Sequence, residues 1–164
     1  MTYQPFNLSG KVALVTGGNR GIGLGMAKAM AQAGADIAIW GTNPENNEKA
    51  VAELSAEGVK AKRWNVNVAD ETAVTDAMAA TIAEMGRVDS VFANAGIGKL
   101  SHGFTEMSTE DYRQVLAVNQ DGVFFTLRAA AAHMVERAKN GDPGGSLVGV
   151  ASLAATEGAA RNQH

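Results

Sequence analysis

The sequence predicts an α/β fold, a doubly wound parallel sheet with helices on both faces, and three observations predict it. Short apolar runs alternate with helical patterns along the whole chain. The runs are continuous rather than alternating, as expected of strands covered on both faces. Small residues abound, with Gly at 19 of 164 positions, which favours close approach of helix to sheet. Such repetition of strand and helix implies right-handed crossovers between parallel strands.

The first strand is expected at Val12–Val15 and the second at Ile37–Trp40, with a mixed third segment around Val59–Val66, a fourth strand at Val91–Ala93 and a fifth at Leu147–Val150. Between the first two, Ile22, Met26, Met30 and Ala33 form a helical stripe that Gly34 ends. The next helix is announced by Pro44 in its first turn, by Glu45 and Glu48 near its positive end, and by Gly58 beyond it. Asp70 is the expected N-cap of a third helix whose inner face takes Val74, Ala77 or Met78, Thr81 or Ile82, and Met85 before Gly86. Ser108-x-x-Asp111 has the shape of a capping box and opens a long helical pattern to about Lys139. That pattern has two apolar faces: Val118, Gly122, Phe125, Ala129 and Ala132 on one, Leu127, Ala131, Met134 and Ala138 on the other. The second face calls for another helix, a subunit or burial in the core. Asn140–Gly145 is turn chemistry that closes the helix.

Composition narrows the function. Hydrophobic residues at 46% and charged residues at 19% suit a packed globular domain, here expected to occupy residues 1–164 as one unit. A net charge of −3, with no run of like charge, gives no electrostatic attraction for nucleic acid. The absence of Cys excludes disulfides, thiolate metal sites and thiol nucleophiles. The N-terminus has no apolar signal core and no stretch is long enough to span a bilayer, so a soluble, cytoplasmic protein without membrane partners is expected. His102, His133 and His164 lack metal-ligand spacing and read as surface or loop residues. No GxSxG elbow surrounds any Ser, which disfavours a Ser-His-Asp hydrolase.

The first strand runs into Thr16-Gly17-Gly18-Asn19-Arg20-Gly21-Ile22-Gly23 and then into a helix. Such a turn brings backbone N–H groups against a phosphate at a helix N-terminus, where free donors and the helix dipole favour an anion. A flexible strand-to-helix connection would look the same; its position after the first strand of an alternating chain points to a dinucleotide site. Asn119, a poor helix former inside an apolar helical pattern, needs buried hydrogen bonds, and an ordinary structural Asn reads equally well. Ser152 follows a buried strand at its C-terminal end, where it serves either a ligand or simply as a cap.

The TGxxxGxG spacing resembles the short-chain dehydrogenase/reductase family, and three further segments resemble it in family order. Phe92-Ala93-Asn94-Ala95-Gly96 is similar to the NNAG motif, with Ala93 in place of its first Asn. Val118-Asn119-Gln120-Asp121-Gly122 is similar to the segment bearing the active-site Asn, and Gly145–Ser152 to the fifth strand and the active-site Ser. The resemblance implies a Rossmann-like fold and hydride transfer between a nicotinamide cofactor and a carbonyl or secondary-alcohol substrate. It implies catalytic roles for Asn119, in a proton relay, and for Ser152, which would hydrogen-bond the substrate oxygen. Cofactor contacts are expected from Gly17, Asn19, Arg20, Gly21, Ile22, Gly23, Thr42, Asn67, Val68, Asn94, Ala95 and Gly96. No metal is expected.

One family motif is missing. The YxxxK pair, whose Tyr is the acid/base and whose Lys binds the nicotinamide ribose, would fall just past His164, and neither Tyr3 nor Tyr112 is followed by that Lys. The domain is therefore expected to be incomplete at its C-terminus, lacking later strands and helices, and inactive alone; a non-catalytic nucleotide-binding module is the alternative. NADP(H) is expected over NAD(H). Gly41-Thr42-Asn43 stands where NAD-preferring relatives carry a ribose-binding Asp, and Arg20 is placed to meet a 2′-phosphate. The long helix resembles the family's interface helix, which implies a homodimer or homotetramer of the complete protein.

Overall fold

A computed structural model of the protein describes residues 6–157. Five strands, β1 (Val12–Thr16), β2 (Asp36–Gly41), β3 (Ala61–Asn65), β4 (Ser90–Ala93) and β5 (Ser146–Gly149), form one sheet in the order β3-β2-β1-β4-β5. Every pairing is parallel, with Val12 opposite Asp36 on one side of β1 and Ala13 opposite Ser90 on the other. The helices are α1 (Gly21–Gln32), α2 (Pro44–Ser55), α3 (Glu71–Met85), α4 (Thr109–Leu116), α5 (Gly122–Lys139) and a short α6 (Ala154–Glu157). This is the Rossmann-like architecture expected from the alternation of runs and stripes.

The central strands are buried on both faces because helices cover both. Ala13 and Val15 of β1, with Ile37 and Ile39 of β2, point into a cluster completed by Ala27, Ala31, Ala50 and Leu54 from α1 and α2. Val12, Leu14, Ala38 and Trp40 point the other way, toward Val74, Met78 and Met85 of α3 and Ala130 of α5. The Trp40 indole N–H finds Thr81 Oγ1 at 3.0 Å inside this second cluster. Local chemistry sets the helix ends: Asp70 caps α3 through Ala73 N and Ser108 caps α4 through Asp111 N, as expected, while α2, opened by the expected Pro44, is capped by Asn43 through Asn46 N.

Three expectations need correction. The inner face of α1 is Gly23, Ala27 and Ala31 rather than the stripe begun by Ile22, which is 73% exposed. Close packing on the sheet selects the smallest side chains, so the largest apolar ones sit to the side. In α5, Leu127 and Met134 pack against the protomer's own core beside Phe125 and Ala129, while Ala132 and Ala138 lie outside. The large exposed apolar groups of α5 are Phe124 and Val135. His133 is neither loop nor surface: half-buried in α5, its Nε2 accepts a hydrogen bond from Val88 N.

Candidate active site

A cleft of about 520 Å³ opens over the C-terminal ends of β1, β2 and β4. It lies where the strand order reverses: the chain leaves β1 toward β2 on one side and reaches β4 on the other. Thr16 joins the two halves. Its buried Oγ1 accepts from Asn94 N at 3.0 Å and Ala95 N at 2.9 Å, and Asn94 Nδ2 donates to Thr16 O at 3.0 Å.

The glycine turn is shaped by these neighbours. Gly17 and Gly21 have φ of 64° and 54°, left-handed values that glycine adopts without strain. A Cβ on Gly23 would collide with Gly17 O and with Asn94 Nδ2, so the helix start can lie this close to the Thr16–Asn94 clasp only without a side chain. Arg20 occupies the N-cap of α1 and makes no side-chain capping bond, and the first turn carries no acid. The free N–H groups at this end of a 12-residue helix are therefore available to an external anion.

All twelve residues expected to contact a cofactor line this one cleft: Gly17, Asn19, Arg20, Gly21, Ile22 and Gly23 from the turn, Thr42 beyond β2, Asn67 and Val68 beyond β3, and Asn94, Ala95 and Gly96 beyond β4. Ile22 owes its exposure to that position. Gly41 and Asn43, from the segment expected at the ribose, also line it, and sequence reasoning missed Trp40, Asn46, Val66, Ile97 and Val118, which line it too. Their apolar or helix-start character reads as core or cap, and only the strand order brings them to one edge. Among the described residues, Arg20 is the one charged group lining the cleft.

Asn119 and Ser152 are not among the lining residues. Asn119 is exposed rather than buried, yet both ends of its amide are used, accepting from Ile97 N and donating to Ile97 O at 2.9 Å each. It lies in a π-helical segment, Ala117–Asp121, between α4 and α5. Through Ile97 it fixes one wall of the cleft. Ser152 follows β5, which is largely exposed rather than buried as expected because, among the described residues, helices do not cover both its faces as they do those of the central strands. Ser152 is itself exposed, its Oγ accepting from Ala154 N at 3.2 Å at the start of the short α6. Among the described residues no cluster of three or more His, Asp or Glu could hold a metal, and no helix is long and apolar enough to cross a membrane.

An uncapped helix aimed at the reversal point of a parallel sheet defines the class of α/β domains that hold nucleotides there. The family model described as short chain dehydrogenase matches residues 11–164, and the chain belongs to that family. It is 37% identical over 169 residues to gluconate 5-dehydrogenase of Gluconobacter oxydans (strain 621H), an alignment covering 96% of this chain and 64% of that protein. With D-threitol dehydrogenase of Mycolicibacterium smegmatis the identity is 38%, over 97% of this chain and 58% of the relative. Among solved structures, NAD+-bound xylitol dehydrogenase superposes with a TM-score of 0.88 at 32% identity, covering 94% of this chain and 58% of that one. The chain thus spans about three fifths of the length of these relatives.

Proposed function

We propose that the protein is an NADP(H)-preferring oxidoreductase that moves hydride between the nicotinamide and a carbonyl or secondary alcohol. The observation that carries this reading is the uncapped N-terminus of α1, facing a cleft that, among the described residues, no carboxylate lines. When bound, the cofactor supplies the hydride; this chain's residues bind and orient it. The N–H groups of Gly21, Ile22 and Gly23 take the pyrophosphate, and Arg20 takes the 2′-phosphate beside the start of α2, where Thr42, Asn43 and Asn46 offer polar atoms. Asn67 and Val68 border the adenine, and Asn94, Ala95 and Gly96 border the ribose on the nicotinamide side.

Ser152 would hold the substrate oxygen and steady the charge developing on it, and Asn119 would hold a relay water while keeping Ile97 in place. The acid/base Tyr and its Lys belong, in this reading, to sequence beyond residue 164, and residues 1–164 alone form an incomplete, inactive nucleotide-binding domain. The names of the gluconate and threitol relatives are a reason to start a substrate panel with polyols and their keto forms. The complete protein is proposed to be a soluble cytoplasmic homodimer or homotetramer. Exposed Phe124, Val135 and Arg128 on α5 support that reading, the Arg128 guanidinium lying 4.7 Å from the Phe124 ring centroid.

The test measures binding of NADPH and NADH to the full-length protein and to Arg20→Ala. The expected outcome is preferential NADPH binding that the variant weakens by about tenfold to a hundredfold, the worth of one charge-assisted hydrogen bond, with little change for NADH. Equal affinities that Arg20→Ala leaves untouched would refute the preference. Residues 1–164 and the full-length protein, assayed side by side with NADPH and the polyol-derived ketones, test the catalytic assignment. Comparable turnover by the shorter chain would sink it.

A further inference from the structure

Behind the outer wall of the cleft lies a fully buried amide that no motif announces. Asn47, in the first turns of α2, is 0% exposed, and three hydrogen bonds use it from both ends. Its Oδ1 accepts from Asn19 Nδ2 at 2.7 Å, and its Nδ2 donates to Gly41 O at 3.0 Å and to Asn65 Oδ1 at 2.7 Å. One side chain thereby ties the glycine turn to the ends of β2 and β3. Gly41 sits inside this arrangement: a Cβ there would stand 2.5 Å from both Asn19 Nδ2 and Asn47 Oδ1, against the two atoms that bond each other.

We infer that Asn47 is a specificity-determining positioning residue, which by holding Asn19 over Gly41 closes the end of β2 to any side chain, and so to a carboxylate that would bind the adenosine ribose of NAD(H). The inference rests on the NADP(H) reading for its biological meaning, and its geometry stands apart from it. Absence of an acid at position 41 is then enforced rather than incidental. A side chain enters there only if the Asn19–Asn47 bond breaks, and Asn19 lines the cleft, so the glycine turn is disturbed with it. Shortening Asn47 removes the obstacle at small cost to its partners. Gly41 O keeps the bond it accepts from Val66 N at 3.1 Å, and Asn65 is exposed to water. Asn19, released, can swing out of the path of a new Cβ.

The consequence is a coupling between positions 41 and 47. Dissociation constants for NADPH and NADH are measured by nucleotide fluorescence on the full-length protein, Gly41→Asp, Asn47→Ala and the double variant. Gly41→Asp alone is expected to weaken both cofactors by about tenfold or more, leaving their ratio near that of the starting protein. Adding Asn47→Ala is expected to restore NADH binding by about tenfold or more and not NADPH binding, so that the preference inverts only in the double variant. Should the aspartate variants fail to fold, Gly41→Ala with and without Asn47→Ala places the same Cβ without the charge, and NADPH affinity recovered by the second substitution reads the same coupling. Inversion by Gly41→Asp alone, or effects of the two substitutions that simply add, overturns the inference. Equal affinities in the starting protein would defeat the NADP(H) reading instead, and the additivity of the four proteins would still decide the role of Asn47.

Discussion

One substitution, threonine to valine, is expected to act with opposite sign at two buried positions, because shape is conserved and only the hydroxyl is lost. Thr81 is the acceptor for the Trp40 indole; in Thr81→Val that N–H is left buried and unpaired, at a cost of about 1–3 kcal/mol. Thr126, fully buried in α5, has a hydroxyl without a hydrogen-bond partner among the described residues, so Thr126→Val should add about 1 kcal/mol, a melting temperature higher by ~3 °C. Thermal unfolding followed by circular dichroism checks both; a drop at position 126 would mean that its hydroxyl is in use. At this scale the sequence was legible where a residue's chemistry is local. The caps Asp70 and Ser108 bond within three residues of themselves. Asn47 and His133 were not legible, because Asn47 bonds residues 6, 18 and 28 positions away and His133 one 45 positions away, and only the fold brings them near.

Strands were legible where they carry an apolar run and not where they do not. The core strands β1 and β2 appear in the sequence as VALV and IAIW, whereas β3, with Lys62 exposed and Arg63 half-buried, shows no apolar run. The long helical pattern gave no sign of its interruption. At Ala117–Asp121 the chain adds a residue to the turn, and Gly122 N reaches back five residues to Ala117 O. That extra residue turns Asn119 toward the loop after β4, where its amide takes both backbone groups of Ile97. Deleting Gln120, which is exposed, should restore α-helical register, leave helicity and melting temperature unchanged or raised, and rotate Asn119 away from Ile97. Weaker nucleotide binding in a protein that melts no lower is the expected result. Unchanged affinity would show that the π turn does not serve the cleft.

At the scale of the whole molecule, a cluster of charge lies at the end of the sheet opposite the cleft. Asp89, just before β4 and 6% exposed, receives the Arg87 fork at 2.6 and 2.8 Å, bonds Val12 N at 3.0 Å, and has Arg137 at 3.2 Å and Lys11 at 3.7 Å. Burial pushes its carboxyl upward, but the Arg87 bonds, the Val12 N–H and the two guanidinium charges together hold it below the ordinary 3.8. His133, whose neutral ring accepts from Val88 N, is held below its ordinary 6.5 by burial and by the Arg137 charge, against the opposing pull of Asp89. Both groups carry fewer protons folded than unfolded, so each stabilises the protein at higher pH. The contribution of His133 is complete above its ordinary 6.5 and fades as the pH falls through its lowered folded value; that of Asp89 is complete above 3.8 and fades below it. Melting temperature should therefore fall in two stages on acidification. His133→Gln, which keeps an acceptor for Val88 N, should flatten the first stage and leave the second, and an unchanged first stage would remove His133 from the account.

The Thr16–Asn94 clasp bears on how the molecule is put together in time. β1 meets β2 across one short crossover, with Val12 opposite Asp36, but meets β4 only after two further crossovers, with Ala13 opposite Ser90. During synthesis the β1–β2–β3 half, with α1 and α2, leaves the ribosome before its β4 neighbour exists. The seam joining the halves carries the greater loop-closure entropy, and it runs beneath the cleft. A molecule lying across that seam would be held by both halves at once and would have to leave before they part. Nucleotide would then act on the lifetime of the fold as well as on its chemistry, and its concentration would set how often the two halves separate.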